Sequence, residues 1–350
     1  MVRTKVILVT DAWLPQVNGV VTTYSNIQRH LPMGVEMDVI EPSQFANWPL
    51  PFYKGINVPW CTKGIMTKLL TQRTRLYQLQ GFQVRYHIAT EGVLGWCARQ
   101  VLNKHKIPFT TAYHTKFPEF FQAMFGIPVR YTRWYFDWFH AASQLVMCSS
   151  ESNRAENPSW TSAVLRKGVD PRFTVKKNKG NPAHPMLLYV GRVSQEKNIE
   201  DFCDLDIANS QKVVVGDGPY LNTLRNRYPE VEFVGYKFGD DLVRYYQAAD
   251  VLVFPSRADT FGIVILEAMS CGTPCAAYPV TGARDQIRNG INGFTDEDLE
   301  LAVELCLDLD PTVIRATVEG ETWVRSAQQF VEHLESLDHK ALFLPNAAPL

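Results

Sequence analysis

FVGYKFGDDLVRYYQAADVLVFPS, residues Phe233 to Ser256, reads as a short apolar strand, a loop with two glycines, an amphipathic helical stretch and a second apolar strand. An unbroken apolar run at each end of an amphipathic stretch is the pattern of a βαβ unit, whose strands are buried on both faces. The same rhythm extends upstream through LLYVGR (Leu187–Arg192) and KVVVGDG (Lys212–Gly218). It recurs in the first half as VILVT (Val6–Thr10), VTTYSNIQRHL (Val21–Leu31) and MDVIEP (Met37–Pro42). The expectation is an α/β chain with a parallel sheet in each of two domains. VKKNKGNPAHP (Val175–Pro185), with Gly, Asn, two Pro and three Lys, is the one stretch with linker composition. The expected organisation is a first domain over 1–175, a linker over 176–185, a second domain over 186–320, and a final helix in 321–338 (ETWVRSAQQFVEHLESL) that crosses back to the first domain.

Composition narrows the function classes. The 350 residues are 46% hydrophobic and 20% charged, which excludes a disordered chain. No apolar run approaches the roughly 20 residues of a membrane span, and Val6–Thr10 followed by Asp11 reads as a buried strand rather than a signal peptide. Seven scattered cysteines without CxxC spacing fit free thiols in a reducing cytoplasm, not a disulfide framework or a zinc site. The net charge of −1 divides into +9 over residues 1–175 and −10 over 176–350, so the two halves are expected to face different partners. A basic half suits nucleic acid or an anionic membrane surface, and no nucleic-acid motif accompanies it.

Candidate chemistry collects where strands end. Gly191 and Arg192 close the strand Leu187–Val190, and Lys197 follows where a helix should begin. In a parallel sheet such a place suits a diphosphate, although solvated loop charges are the plain alternative. Gly235, Tyr236 and Lys237 lie at another strand end, where backbone groups are able to read a flat ring. In SRADTFGIVILEAMSCGTPCAAYPVTG (Ser256–Gly282), Asp259 sits in a loop and a helix is expected over Phe261–Ser270. That helix would point the free amides of Gly262, Ile263 and Val264 at phosphate or sugar oxygens. Glu267 lies in an apolar setting eight residues beyond Asp259, so the two carboxylates can grip different parts of one extended ligand. A glycosidase pair competes, but nothing in the spacing fixes the separation it needs.

Asp259-Thr260-Phe261-Gly262, Glu267-Ala268, Gly272-Thr273-Pro274 and Ala277-Tyr278-Pro279-Val280-Thr281-Gly282 together resemble the donor-binding signature of retaining glycosyltransferases of family four, which have the GT-B fold. Gly191-Arg192 with Glu196-Lys197, Gly216-Asp217-Gly218, Asn18-Gly19-Val20 and Tyr113-His114-Thr115 follow that family's order. Pro118-Glu119 and Arg166-Lys167-Gly168-Val169-Asp170 resemble the subgroup that glycosylates diacylglycerol lipids. The resemblance implies two Rossmann-like domains facing across a cleft. It implies that Arg192 and Lys197 neutralise the donor diphosphate, that Gly191 belongs to the donor-binding residues, that Gly19 lets the backbone approach the diphosphate, and that Glu267 accepts from both ribose hydroxyls. It further implies that Asp259, with the amides after Phe261, holds the sugar, that Gly235 to Lys237 border the base, and that His114 lies under the transferred sugar. Catalysis would then rest on His114, Asp259, Arg192 and Lys197. Two departures stand out: Asp259 replaces the family's commoner Glu, as is usual in the lipid-acting subgroup, and Ala283-Arg284-Asp285 replaces the subgroup's Pro and acid after Val-Thr-Gly.

The acidic triplets at Asp204–Asp206, Asp296–Asp298 and Asp308–Asp310 read as helix flanks, with Thr295 as an N-cap, so no metal and no cofactor beyond the donor are expected. The donor is expected to be a UDP-sugar, with GDP-mannose the competing nucleotide sugar, and the acceptor a lipid or glycolipid. Transfer onto lipopolysaccharide or a soluble glycan, and a catalytically silent sugar-nucleotide binding protein, are the rival readings. In Thr62–Gln78 an apolar arc of Ile65, Met66, Leu69, Leu70, Leu76 and Tyr77 is flanked by Lys63, Lys68 and Arg75, with Arg73 inside the arc. This segment is expected to dock on an anionic membrane from the cytoplasmic side, Arg73 snorkelling toward lipid phosphates; a helix packed on the first domain is the alternative.

Overall fold

The computed structural model describes residues 3–49, 57–119, 122, 126–175 and 183–337. Positions 176–182 of the expected linker lie outside them. Contacts divide the chain into two compact units: the described parts of Met1–His114, Ile127–Arg166 and Trp323–Leu350 form one, and those of Thr115–Gly126 and Lys167–Thr322 the other.

In the first unit the strands are β1 (Arg3–Val9), β2 (Val35–Ile40), β3 (Asn47–Pro49), β4 (Asn57–Pro59), β5 (Phe82–Ile88), β6 (Thr110–Tyr113), β7 (Leu145–Cys148) and β8 (Ser162–Val164). Six of them form a sheet in the order β2-β1-β5-β6-β7-β8, every neighbour parallel, while β3 and β4 make a separate antiparallel pair. The apolar run Val6–Val9 sends Ile7 and Val9 to one face of the sheet, against Met66, Leu70 and Leu94, and Val6 and Leu8 to the other, against Tyr24, Ile27 and Phe330. Burial on both faces is what removes polar alternation from such a strand. The final helix, Trp323–Glu335, completes that second face with Ala327, Phe330, Val331 and Leu334. It is tied down by Ser326 Oγ donating to the Arg166 carbonyl at 2.7 Å and by the Arg166 amide donating to Gln329 at 2.8 Å.

The second unit holds β9 (Met186–Val190), β10 (Gln211–Val215), β11 (Glu232–Gly235), β12 (Val251–Phe254), β13 (Cys275–Ala277) and β14 (Gly293–Thr295) in the order β11-β10-β9-β12-β13-β14, again all parallel. Strand order reverses at β9, so the crevice beyond the carboxyl ends of β9 and β12 is the topological switch point at which open α/β sheets bind ligands. Each unit is thus built on a Rossmann-like parallel sheet of six strands.

Thr295 ends β14 instead of capping a helix, and the cap of Leu299–Cys306 is Asp298, whose carboxylate accepts from the Leu301 amide at 3.1 Å. A threonine paired in a strand has its backbone already committed, and the cap moves to the next residue with a free acceptor. The basic segment forms the helix Lys63–Leu79, capped by Thr62. Met66, Leu70 and Thr74 face the sheet, whereas Ile65, Leu76 and Leu79 are exposed with Lys63, Lys68 and Arg75. Arg73 does not point outward: its guanidinium lies 2.7 Å from Asp38 Oδ1 and 2.8 Å from Gln44 Oε1. A half-buried carboxylate next to the helix offers it a charged partner, and the snorkelling expectation fails for this residue.

Candidate active site

Past β9 the chain turns through Gly191 and Arg192, and Tyr189 fixes that turn by donating its hydroxyl to the Arg192 carbonyl at 2.8 Å. The Gly-Asp-Gly turn after β10 packs against it with no room for side chains. A Cβ at Gly216 would lie 1.8 Å from the Gly191 carbonyl oxygen, and one at Gly218 would lie 2.2 Å from that of Val193. Lys197 lies in a single 3₁₀ turn, Gln195–Lys197, and the helix begins only at Ile199, after Asn198 in a left-handed conformation (φ 51°). Lys197 therefore projects from the turn before the helix rather than from its start.

Past β12, Asp259 meets Lys197: Nζ is 2.6 Å from Oδ1, with each side chain about a quarter exposed. Burial alone would raise the Asp259 carboxyl, but Lys197 and Arg192 outweigh it and hold the group below its ordinary range. The helix that follows runs Ile263–Ser270, two residues later than the sequence suggests, because Gly262 adopts φ 80° and breaks the helical path. No side chain caps this helix, and within its first turn the Ile265 amide donates to the Gly262 carbonyl at 3.0 Å. The turn is held from behind. Gln286 donates through Nε2 to the Phe261 carbonyl, and the backbone of Phe261 lies within 2.7–2.9 Å of where a Gly282 Cβ would stand.

Glu267, one turn into the helix, accepts at Oε2 from the Tyr246 hydroxyl at 2.8 Å. Burial raises its carboxyl to about 7, against the opposing hydrogen bond from Tyr246. Thus two acids on one segment carry opposite protonation tendencies. Gly235 (φ 72°) ends β11, and its carbonyl accepts from the Gly216 amide at 3.0 Å. Tyr236 is exposed, its ring stacked with Phe238 at 5.8 Å and its hydroxyl donating to the Asp217 carbonyl at 3.2 Å. Arg192, Lys197, Asp259, the helix N-terminus at Gly262–Val264, Glu267 and the Gly235–Lys237 loop all belong to this unit.

Such an arrangement, with cations, free amides and a proton-poised carboxylate around a switch-point crevice, suits a diphosphate-bearing ligand with a hydroxylated neighbour. Comparison with known proteins agrees: the model of the family described as Glycosyl transferases group 1 matches residues 184–309. Residues 184–309 form a group 1 glycosyltransferase domain. The chain is 26% identical to the sulfoquinovosyl transferase SQD2 of Arabidopsis thaliana over 318 residues, 80% of this chain but only 60% of that protein. It is 26% identical over 378 residues to a GDP-mannose-dependent alpha-mannosyltransferase of Corynebacterium glutamicum, covering 94% and 88% of the two chains. Among solved structures, Anabaena HepE in complex with UDP and glucose matches with a TM-score of 0.68 at 16% identity, over 96% of this chain and all of that one.

Within the group 1 domain the sequence did not single out Tyr189, Tyr246 or Gln286, the three side chains that hold Arg192, Glu267 and the Phe261 turn. Lys116 was also passed over; its Nζ donates to Thr281 Oγ1 at 2.5 Å. The other expected site residues lie in the first unit. Gly19 opens the helix Gly19–Arg29, capped by Asn18, and a Cβ there would meet open space. His114 follows β6, half-buried, with Nε2 2.9 Å from the Tyr24 hydroxyl and Nδ1 3.3 Å from Ser149 Oγ.

Among the described residues, no three His, Cys, Asp or Glu side chains gather as a metal site requires. The acidic triplets have other work: Asp204 accepts from Tyr228 at 2.6 Å, Asp298 caps one helix, and Asp310 caps Pro311–Ala316 through the Thr312 amide at 2.7 Å. No helix among the described residues is long and apolar enough to cross a membrane.

Proposed function

We propose that the protein is a retaining glycosyltransferase that moves a hexose or hexuronic acid from a nucleoside diphosphate sugar to a lipid or glycolipid hydroxyl, giving an α-glycoside. The observation that carries this reading is the Lys197–Asp259 pair at the switch point, beside Arg192 and an uncapped helix N-terminus. In the proposed reaction Arg192, Lys197 and the helix amides stabilise the charge that develops on the leaving diphosphate. Asp259 gives up part of its hold on Lys197 to accept from sugar hydroxyls, and Glu267 accepts from the ribose. His114 is assigned to the transferred sugar through the family resemblance. The leaving phosphate takes the acceptor proton on the face it departs from, which retains configuration without a protein nucleophile. The cations already present supply the charge that a divalent ion would otherwise bring, so the reaction is proposed to run without metal.

Uridine, the base bound by HepE, is the proposed donor base, and guanosine, named for the corynebacterial relative, is the second reading. A lipid acceptor is favoured by the subgroup resemblance and by the exposed Ile65, Leu76 and Leu79 beside Lys63, Lys68 and Arg75, which would dock peripherally on the cytoplasmic face of an anionic membrane.

The test is a thermal-shift screen of UDP, GDP and their sugars, followed by donor turnover with and without anionic diacylglycerol vesicles in the presence of EDTA. UDP-sugars should raise the melting temperature most, and turnover should require the vesicles and survive the chelator. No shift with any nucleotide would overturn the donor site. Turnover restored only by magnesium or manganese would overturn the metal-free mechanism, and release of labelled β-glycoside would overturn retention.

A further inference from the structure

Five polar side chains in the first unit are strung into one line behind His114, and none but His114 has a part in the reaction proposed above. Tyr24, in the middle of the helix Gly19–Arg29, reaches over the sheet to place its hydroxyl 2.5 Å from His87 Nε2 and 2.9 Å from His114 Nε2. His87, near the end of β5, stands opposite Thr110 in the register of β5 on β6, and its Nδ1 is 2.6 Å from Thr110 Oγ1. At the other end His114 Nδ1 is 3.3 Å from Ser149 Oγ. Tyr24, His87 and Thr110 are fully buried. Phe330 of the final helix covers them, its ring edge-on to Tyr24 at 6.0 Å and to His87 at 5.1 Å.

We propose that Tyr24 and His87 are positioning residues that lock His114 in a single neutral tautomer and ring orientation. The reasoning is proton arithmetic. A phenol has one hydrogen, so between two imidazole nitrogens it donates to one and accepts from the other. His87 and His114 must therefore adopt opposite tautomers. The direction proposed takes the contact of 2.9 Å as His114 Nε2–H donating to the Tyr24 oxygen and the shorter one of 2.5 Å as the Tyr24 O–H donating to His87 Nε2. His114 then donates from Nε2 to Tyr24, Tyr24 donates to His87 Nε2, and His87 donates from Nδ1 to Thr110. The His114 Nδ1 lone pair is left to accept from Ser149, whose one hydroxyl hydrogen is then directed to it at 3.3 Å in preference to the Tyr113 carbonyl at 3.5 Å. His114 in this arrangement cannot turn its ring without breaking the line, so it presents a fixed edge to whatever it meets.

The proposal rests on the assignment of His114 to the transferred sugar only for its effect on rate, and nitrogen-15 NMR of the full chain reads the tautomers without substrate. His114→Ala assigns the His114 signals. The wild-type protein should show His114 as the Nε2–H form and a second buried histidine as the Nδ1–H form. In Tyr24→Phe, which keeps the ring against Phe330, His114 should exchange between forms. UDP release from the hexose donor selected by the thermal screen should then fall in kcat by roughly tenfold to a hundredfold, with donor KM within about twofold. Thr110→Val, which does not touch His114, should move the His114 signals in the same sense by a smaller amount. Identical tautomers in the two histidines, or unchanged His114 signals in both variants, would overturn the proposal. Should His114→Ala retain full transfer, the sugar-site assignment fails instead, and the tautomer pattern stands or falls by its spectrum.

Discussion

The two sheets treat the helix N-termini at their carboxyl ends in opposite ways. In the first, the helix Val93–Lys104 begins beyond β5, and Asp11, at the end of β1, closes it: the carboxylate accepts from the Leu94 amide at 2.7 Å, the Gly95 amide at 3.2 Å and Thr90 Oγ1 at 2.8 Å. Gly92 is required there, because a Cβ would stand 2.5 Å from the Asp11 Cγ. In the second, the helix Ile263–Ser270 begins beyond β12 with no side chain across its end, and the nearby acid, Asp259, is held by Lys197. One unit closes its helix with a buried carboxyl of its own; the other leaves its helix end without a side-chain cap, beside Lys197 and Arg192. Under the proposed function, the same βα junction serves as scaffold or receptor according to whether a carboxyl of the chain occupies the amides.

The largest effect should come from removing charge at the open junction. Lys197→Ala and Arg192→Ala should each lower donor turnover by roughly 10²-fold or more, as measured by UDP release. Lys197→Ala also strands the Asp259 carboxylate, so the double variant with Asp259→Asn should lose less than the two single losses combined. Additive losses would show that the pair does not act as a unit.

A smaller effect is expected at the closed junction, and of a different kind. Asp11→Ala should cost about 1–2 kcal/mol of unfolding free energy in urea titration, from the lost cap and the stranded Thr90 hydroxyl. UDP affinity should not change. A loss of UDP binding at constant stability would erase the contrast between the junctions.

A pH-dependent effect belongs to Glu267. Its carboxyl is raised by burial from 4.5 to about 7, so the folded protein holds a proton that the unfolded chain releases across that interval. The corresponding stability is present at pH 4.5 and falls as the pH rises to 7. UDP affinity, which under the proposed function uses the ionised carboxylate, should rise over the same interval. Glu267→Gln should weaken UDP by about tenfold near pH 8 and flatten both slopes, read by calorimetry and thermal melts across pH. A slope surviving in Glu267→Gln would assign the titration to another group.

The parts legible in the sequence are those whose physics is local. Parallel strands buried on both faces write themselves as apolar runs, and Gly216, Gly218 and Gly262 mark turns that side chains would block. Arg192, Lys197, Asp259 and Glu267 stood out because charged groups beside buried strands need a reason to be there. What the sequence hid is pairing over distance. Nothing in the order of residues says that Lys197 meets Asp259 across 62 positions, or that Tyr246 supports Glu267. Tyr24 and Tyr246 pass for core aromatics, since all of a tyrosine side chain but its hydroxyl behaves as one, and only the fold reveals where the hydroxyl ends. Arg73 misled for the converse reason: helical periodicity placed it on the apolar arc, while Asp38, 35 positions earlier, decided its direction.

The final helix has a consequence for how the protein is made. Residues 323–335 supply Ala327, Phe330, Val331 and Leu334 to a face that also holds Val6, Leu8, Tyr24 and Ile27, all of them made before the second unit. That face stays uncovered while the whole of the second unit is synthesised, a wait of the order of tens of seconds at roughly 5–20 residues per second. The second unit, whose strands are contiguous in the chain from Met186 to Thr295, can close within that interval from its own residues. The domain begun first is therefore the one finished last, and a nascent chain halted before Trp323 would carry an exposed apolar face for chaperones to bind.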